Sequence, residues 1–178
     1  MPTLTIRPST AADVAAIAQI YGVAVAEGTG TFELERPDEA DMARRRDDVL
    51  AKGLPWLVAE RDNKVLGYAY ANHFRPRRAY RFCLEDSIYL APQAQGQGIG
   101  RLLLAEMLAQ CEVRGARQML AVIGDSANVG SIAVHRACGF EPAGGFKAAG
   151  WKFDRWLDVV LMQKRLGDGD ASAPAIGL

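Results

Sequence analysis

A chain of 178 residues, 49% hydrophobic and 24% charged, is long enough for one compact domain with a substantial core and gives no reason for a second. Its 21 basic and 21 acidic side chains cancel, so no global field recommends a nucleic-acid partner, and recognition by charge has to be local. No apolar run approaches the ~20 residues that span a bilayer, and the N-terminal MPTLTIRPST lacks the basic cluster and apolar stretch of an export signal, so a cytoplasmic protein with no membrane partner is expected.

In chain order, Leu4 to Arg7 alternate as a short strand. Ser9 or Thr10 then caps a helix whose apolar positions Val14, Ile17, Ile20 and Tyr21 recur at helical spacing. Residues 27–34, EGTGTFEL, break that helix with two glycines and read as a connection or as the wall of a substrate pocket. Residues 38–52 form a second helix with Met42, Val49 and Leu50 inward and Arg44, Arg45 and Arg46 mostly on a solvated face.

Residues 55–60 and 65–71 are strands joined by the turn Arg61-Asp62-Asn63-Lys64, hence a hairpin. The loop that follows, His73 to Arg81, holds four arginines and two aromatic rings besides His73. Guanidinium groups pair bidentately with carboxylates, so the loop is either a clamp for a small carboxylate or a solvated loop. Three cysteines, Cys83, Cys111 and Cys138, are widely spaced among apolar neighbours and read as reduced core thiols. With His73 and His135 the only histidines, no metal site is expected.

The stretch Glu85 to Arg101, EDSIYLAPQAQGQGIGR, organises the rest. Asp86 to Leu90 alternate as a strand, Ala91-Pro92 end it, and Gly96, Gly98 and Gly100 lead into an apolar-periodic helix. Glycines at alternate positions gather main-chain N–H groups at one point, and the helix N-terminus adds unpaired donors and positive potential, which makes an anion cradle. The loop lacks the Gly-Lys-Ser/Thr of a Walker A motif, and Arg101 stands where a dinucleotide fingerprint needs its last glycine. A glycine-rich connection without a ligand is the alternative.

Beyond the loop, Leu103, Leu104, Met107, Leu108 and Cys111 mark the buried stripe of a helix that Gly115 ends. Gln118 to Ile123 is a nearly continuous apolar strand, of the kind covered on both faces. Residues 124–130 are a polar loop, and 131–138 a helix closed by Gly139. Asn128, Ser131 and His135 share one side of the chain entering that helix, as a polar row facing a cleft or as a cap and a structural histidine. Residues 140–146 and 156–166 are strands, and 167–178, GDGDASAPAIGL, is expected to be a disordered tail.

The loop Gln95-Gly96-Gln97-Gly98-Ile99-Gly100 resembles the pyrophosphate loop of the GNAT acetyltransferases, and the order of elements over residues 3 to 166 resembles their fold. More narrowly, Arg75-Pro76, Leu84 to Leu90, Asn128 to His135, Cys138-Gly139-Phe140 and Trp156 to Val159 resemble the phosphinothricin and methionine sulfoximine/sulfone acetyltransferases. The resemblance implies an α/β (α+β) chain with the GNAT fold as a single domain over residues 1–166: a mixed, mostly antiparallel central sheet flanked by helices. It also implies acetyl-CoA at the splayed central strand and the glycine loop, a small-molecule amine as substrate, and a homodimer.

Position by position, the resemblance implies that Ile88, Tyr89 and Leu90 offer main-chain groups to the pantetheine arm. Gln95, Gly96, Gln97, Gly98, Ile99, Gly100 and Arg101 would hold the pyrophosphate, and Asn128, with Ser131 beside it, would meet the pantetheine amides. Arg75, Arg77 and Tyr80 would grip the amino-acid substrate next to Asp86 and Ser87, and Glu85 stands at the catalytic carboxylate. Two departures bear on the substrate: many phosphinothricin members have His where Leu157 stands here, and residue 86 varies in the group.

The chemistry fits those residue types. An ammonium must lose a proton before it attacks a thioester, and a carboxylate does that work when burial raises its pKa or a water relays the proton. Strand alternation puts Glu85 with Ser87 and Tyr89, and Asp86 with Ile88 and Leu90 on the other face, so Glu85 is the favoured base and the two do not act as a close pair. The attack is direct, and nothing pairs with Cys83 as an acyl carrier. A main-chain N–H at Leu90 is expected to meet the oxyanion. His135 is expected either to protonate the departing thiolate or to be structural. Two other readings stay open: acetylation of a different amine such as a protein N-terminus, and a non-catalytic acyl-CoA-binding module.

Overall fold

The computed structural model describes residues 3–174. Among these described residues seven strands form one sheet in the order β1-β2-β3-β4-β5-β7-β6. They are β1 (Thr5–Pro8), β2 (Trp56–Arg61), β3 (Lys64–His73), β4 (Cys83–Leu90), β5 (Gln118–Gly124), β6 (Glu141–Lys152) and β7 (Arg155–Arg165). Every pairing is antiparallel except β4 with β5, which run parallel. The helices are α1 (Val14–Glu27), α2 (Glu39–Ala51), α3 (Ile99–Val113) and α4 (Val129–Ala137).

The alternation of β4 sorts these helices. Tyr89 points toward α1, where its ring meets Tyr21 edge-on at 4.9 Å. Ile88 and Leu90 point the other way, onto Gly100 of α3, which also lies against Val134 of α4. The core between sheet and α3 is apolar, with Ile99, Leu103, Leu104, Met107 and Cys111 fully buried. On the opposite face Trp56 stacks on Tyr70 at 4.1 Å, directly across the β2–β3 pairing.

Local chemistry sets the element ends. Thr10, not Ser9, begins the first helical turn: the Asp13 carboxylate takes the Thr10 N–H at 2.7 Å, and Arg7 clamps the same carboxylate with two bonds of 2.8 Å. Ser9 is buried and its hydroxyl oxygen accepts from Arg46 instead. The arginine run is therefore not a uniformly solvated face, because Arg45 also reaches Glu33 and Asp41. Leu50, expected inward, is 38% exposed at the end of α2. Of the cysteines only Cys111 is buried, while Cys83 and Cys138 are half-buried.

The largest departure from the sequence reading is β6, which continues through the expected connection to Lys152 and turns at Phe153-Asp154, both with positive φ. Two breaks in the β6–β7 register, at Pro142/Gly144 and at Phe146/Gly150, interrupt the strand without ending it, and Asp158 takes the Ala148 N–H at 3.0 Å in the second. Of the segment expected as a disordered tail, residues 167–174 form turns against Arg117, which donates to Gly169, Ser172 and Ala173. Residues 175–178 lie outside the described residues.

Candidate active site

The parallel pairing of β4 and β5 lasts for three residue pairs, from Cys83↔Gln118 to Glu85↔Leu120, and then stops while both strands continue. The strands diverge, and a groove of about 870 Å³ opens between them. Ladder parity decides what faces it. Phe74 N–H bonds Cys83 O and Ala91 N–H bonds Leu66 O, so the intervening hydrogen-bonded partners of β3 are Glu85, Ser87 and Tyr89. The main-chain groups of Ile88 and Leu90 therefore turn away from β3, toward the groove. Tyr89 lends its side chain to the wall, and its main chain to β3.

One end of the groove is the glycine loop. Gly96 and Gly98 take φ of 71° and 77°, left-handed values that explain the need for glycine, since a Cβ at either would touch nothing within 4 Å. Leu102 is the first residue of α3 whose N–H is taken up, by Gly98 O. Among the described residues no main-chain acceptor takes the N–H groups of residues 96–101, so they remain available to an anion. Gln97 spends its side chain on Gln93 O and Arg61, and Arg101 is exposed. Gln95, Gly96 and Gly100 line the groove.

At the other end Glu85, Asp86 and Ser87 come off β4, facing Asn128, Ser131 and His135 of α4 and its approach. Glu85 is half-buried, and burial first, then the neighbouring Asp86 charge, push its carboxyl above the ordinary range against a smaller opposing pull from Arg75. Asn128 caps α4 by accepting the Ser131 N–H at 3.2 Å, and its amide nitrogen lies toward Gly30. Glu85 also borders a smaller depression of about 220 Å³ with Tyr70, Asn72, His73 and Ser87.

His135 is buried and fully engaged. Its Nδ1 lies 2.7 Å from the Ser131 carbonyl oxygen, and its Nε2 lies 2.9 Å from Asp86 Oδ2. No ring nitrogen is left to reach a thiolate directly, so direct protonation by His135 does not fit this geometry. Arg75, Arg77 and Tyr80 are exposed on the β3–β4 loop and lie outside the groove lining. Arg75 and Arg77 make no salt bridge among the described residues, and Arg75 stacks over Phe74 at 4.9 Å.

The sequence left the 27–34 loop undecided, and the structure puts Gly28 to Thr31 on the groove wall. Asp125 went unnoticed. It takes a positive φ of 69°, accepts the Ala127 N–H and pairs with Arg155, holding the mouth of β5 to β7. Its signal was the polar segment Gly124-Asp125-Ser126, in which Asp is one of the few residues that tolerate that conformation. Among the described residues no group of three His, Cys, Asp or Glu side chains is placed to hold a metal ion, and no helix is long and apolar enough to cross a membrane.

A strand pair that parts in mid-sheet, with a glycine loop and helix N-terminus at the mouth, suits a long ligand with an amide-bearing arm and an anionic end. The family model of the GNAT acetyltransferases matches residues 16–140. The chain belongs to the GNAT acetyltransferase family. It is 53% identical to a phosphinothricin N-acetyltransferase of Alcaligenes faecalis over 96% of this chain and 86% of that one. It is 36% identical to an L-methionine sulfoximine/L-methionine sulfone acetyltransferase of Pseudomonas aeruginosa, over 96% and 98%. A phosphinothricin acetyltransferase of Sinorhizobium meliloti, solved in complex with acetyl-CoA, superposes with a TM-score of 0.95 at 48% identity, over 99% of this chain and 95% of that one. As a GNAT enzyme this chain is an acetyltransferase that uses acetyl-CoA.

Proposed function

We propose that this acetyltransferase moves the acetyl group of acetyl-CoA to the α-amine of a small amino-acid analogue of the phosphinothricin, methionine sulfoximine or methionine sulfone type, with Glu85 as general base. The observation that carries the reading is the groove itself: unpaired main chain at Ile88 and Leu90, free N–H groups over residues 96–101, and a half-buried carboxylate on the same strand. The names of the relatives supply the substrate class.

In this reading Ile88 and Leu90 hold the pantetheine arm as an added strand would be held, Gln95 to Arg101 take the pyrophosphate, and Asn128 meets an arm amide. Glu85 accepts one proton from the substrate ammonium, and the freed lone pair attacks the acetyl carbon. The Leu90 N–H meets the oxygen as charge gathers on it, the C–S bond breaks, and the coenzyme leaves as a thiolate that takes the second proton shed by the attacking nitrogen, leaving a neutral amide and a free thiol. Arg75 and Arg77, uncommitted on their loop and electrostatically linked to Glu85 through Arg75, draw the substrate carboxylate toward that site.

The homodimer and the cytoplasmic setting belong to the same proposal. Phe146, Trp151, Phe153 and Trp156 are all about half exposed or more on the β6–β7 hairpin, and β6 is an edge strand, the surface that a second copy would cover. Light scattering on the eluting protein tests the assembly.

Incubation with acetyl-CoA and a panel of free amino-acid analogues and peptides, read by mass spectrometry, tests the activity. Acetylated free analogue is the expected product. Acetylation of peptides alone would move the substrate to protein N-termini, and tight acetyl-CoA binding without any product would leave a binding module.

A further inference from the structure

Asp86 and His135 stand 49 residues apart in the chain and meet in the core at the point where β4 and β5 part. The acceptors around the ring fix its protons. Ser131 O is a carbonyl and can only accept, so Nδ1 carries a hydrogen, and the 2.9 Å contact of Nε2 with Asp86 Oδ2 needs one more proton between them. Both side chains are buried, His135 at 2% exposure and Asp86 at 7%. Asp86 Oδ1 is buried and has no partner among the described residues, although its residue lines the groove. An unpartnered buried carboxylate oxygen is costly, and a donor arriving with a ligand removes that cost.

Resting on the acetyl-CoA reading above, we propose that Asp86 and His135 act as one carboxylate–imidazolium unit whose free end, Asp86 Oδ1, accepts a hydrogen bond from an N–H of the acyl donor's arm. Asp86 shares its face of β4 with Ile88 and Leu90, the residues whose main chain is open to the groove, and not with Glu85. The two carboxylates then divide the work by face, Asp86 toward the acyl donor and Glu85 toward the amine. His135 is a positioning residue: anchored by Ser131 O, it bonds Asp86 Oδ2 and so fixes the rotation that aims Oδ1.

Burial alone pushes the imidazole of His135 downward, but the bond to Asp86 and its charge outweigh that and the net shift is upward. The titratable groups that feel Asp86 are Glu85 on its own strand, Cys111 on α3 and Cys138 just past α4. Burial pushes the thiol of Cys111 up to about 12, so it stays neutral and does not compete for the imidazolium. Phe140 packs edge-on to the ring at 5.0 Å and brings no charge.

With only two histidines in the chain, nitrogen NMR of ring-labelled protein resolves the unit, and His73→Gln removes the other signal. The expected wild-type spectrum keeps both His135 ring nitrogens protonated at pH values where a free imidazole has lost its proton. Asp86→Asn should convert the ring to the neutral tautomer with a bare Nε2. Asp86→Ala, checked for folding by circular dichroism, should weaken acetyl-CoA binding in calorimetry by about tenfold or more, the size of a lost positioned contact. A bare Nε2 in the wild type at neutral pH, or an unchanged acetyl-CoA affinity in folded Asp86→Ala, would overturn the proposal. If no amine is acetylated while those results hold, the substrate assignment fails and the unit stands.

Discussion

The ammonium of Lys152 donates to the main-chain carbonyl of Thr31 at 2.9 Å, fastening the last residue of β6 to the loop that walls the groove. The side chain is buried, and desolvation pulls its pKa below the usual lysine value. Lys152→Met keeps the stem and removes both the tie and the buried charge. These oppose one another in stability, so unfolding should shift by less than about 1 kcal/mol. The loss should instead appear as a raised KM for the amine with acetyl-CoA affinity unchanged, and an unaltered amine KM would show that the tie does not hold the wall.

Gly124 ends β5 where the same loop crosses it. An added Cβ there would overlap the Thr29 carbonyl oxygen and stand 3.0 Å from the Phe32 ring. Backbone cannot swing aside as a side chain can, so Gly124→Ala should cost about 1–3 kcal/mol and displace the groove wall. Urea titration checks the first, and the amine KM the second. A variant as stable as the wild type would mean that the loop yields freely.

Asp13 carries the clearest pH signature for stability. Its bond to Arg7, against an opposing effect of burial, lowers its pKa from 3.8 to about 2. A carboxylate held down in the folded state binds its proton first in the unfolded one, so its contribution is complete above about pH 4 and drains away as pH falls toward 2. The stability gap between wild type and Asp13→Asn should be widest near neutral pH and close in acid. A gap that stayed constant down to pH 2 would contradict the pairing.

Glu85 offers a second pH signature, in rate. Burial raises its carboxyl above the ordinary carboxylate range, and the base form exists only above its pKa, so turnover should fall as pH drops, at a higher pH than an exposed glutamate would give. Glu85→Gln should lose that limb along with about 10²–10⁴ of turnover, while acetyl-CoA affinity stays near wild type. Unchanged turnover would remove Glu85 from its assigned role.

Much of this was legible in the chain because it was local. The alternation of Glu85 to Leu90 placed two adjacent carboxylates on opposite faces, and the glycines at 96 and 98 announced left-handed turns that the backbone then adopts. Leu50 failed because helical spacing does not say where α2 runs out of sheet to cover. The true length of β6 was hidden by three glycines and two register breaks that interrupt the two-residue rhythm. The Asp86–His135 and Lys152–Thr31 contacts join residues 49 and 121 positions apart, and no local pattern encodes such meetings. They exist because the sheet order inserts β5 between β4 and β7.

That same order joins β1 to β4 with the remaining three strands through only three rungs, Cys83 to Glu85, beneath the packing of α3. The molecule is thus two leaves riveted along a short seam, and whatever fills the wedge beyond it also laces the leaves together. Amide hydrogens of Ile88 and Leu90 should exchange quickly in the empty enzyme and slow sharply once the donor is seated, so the reagent doubles as a missing strand of the architecture.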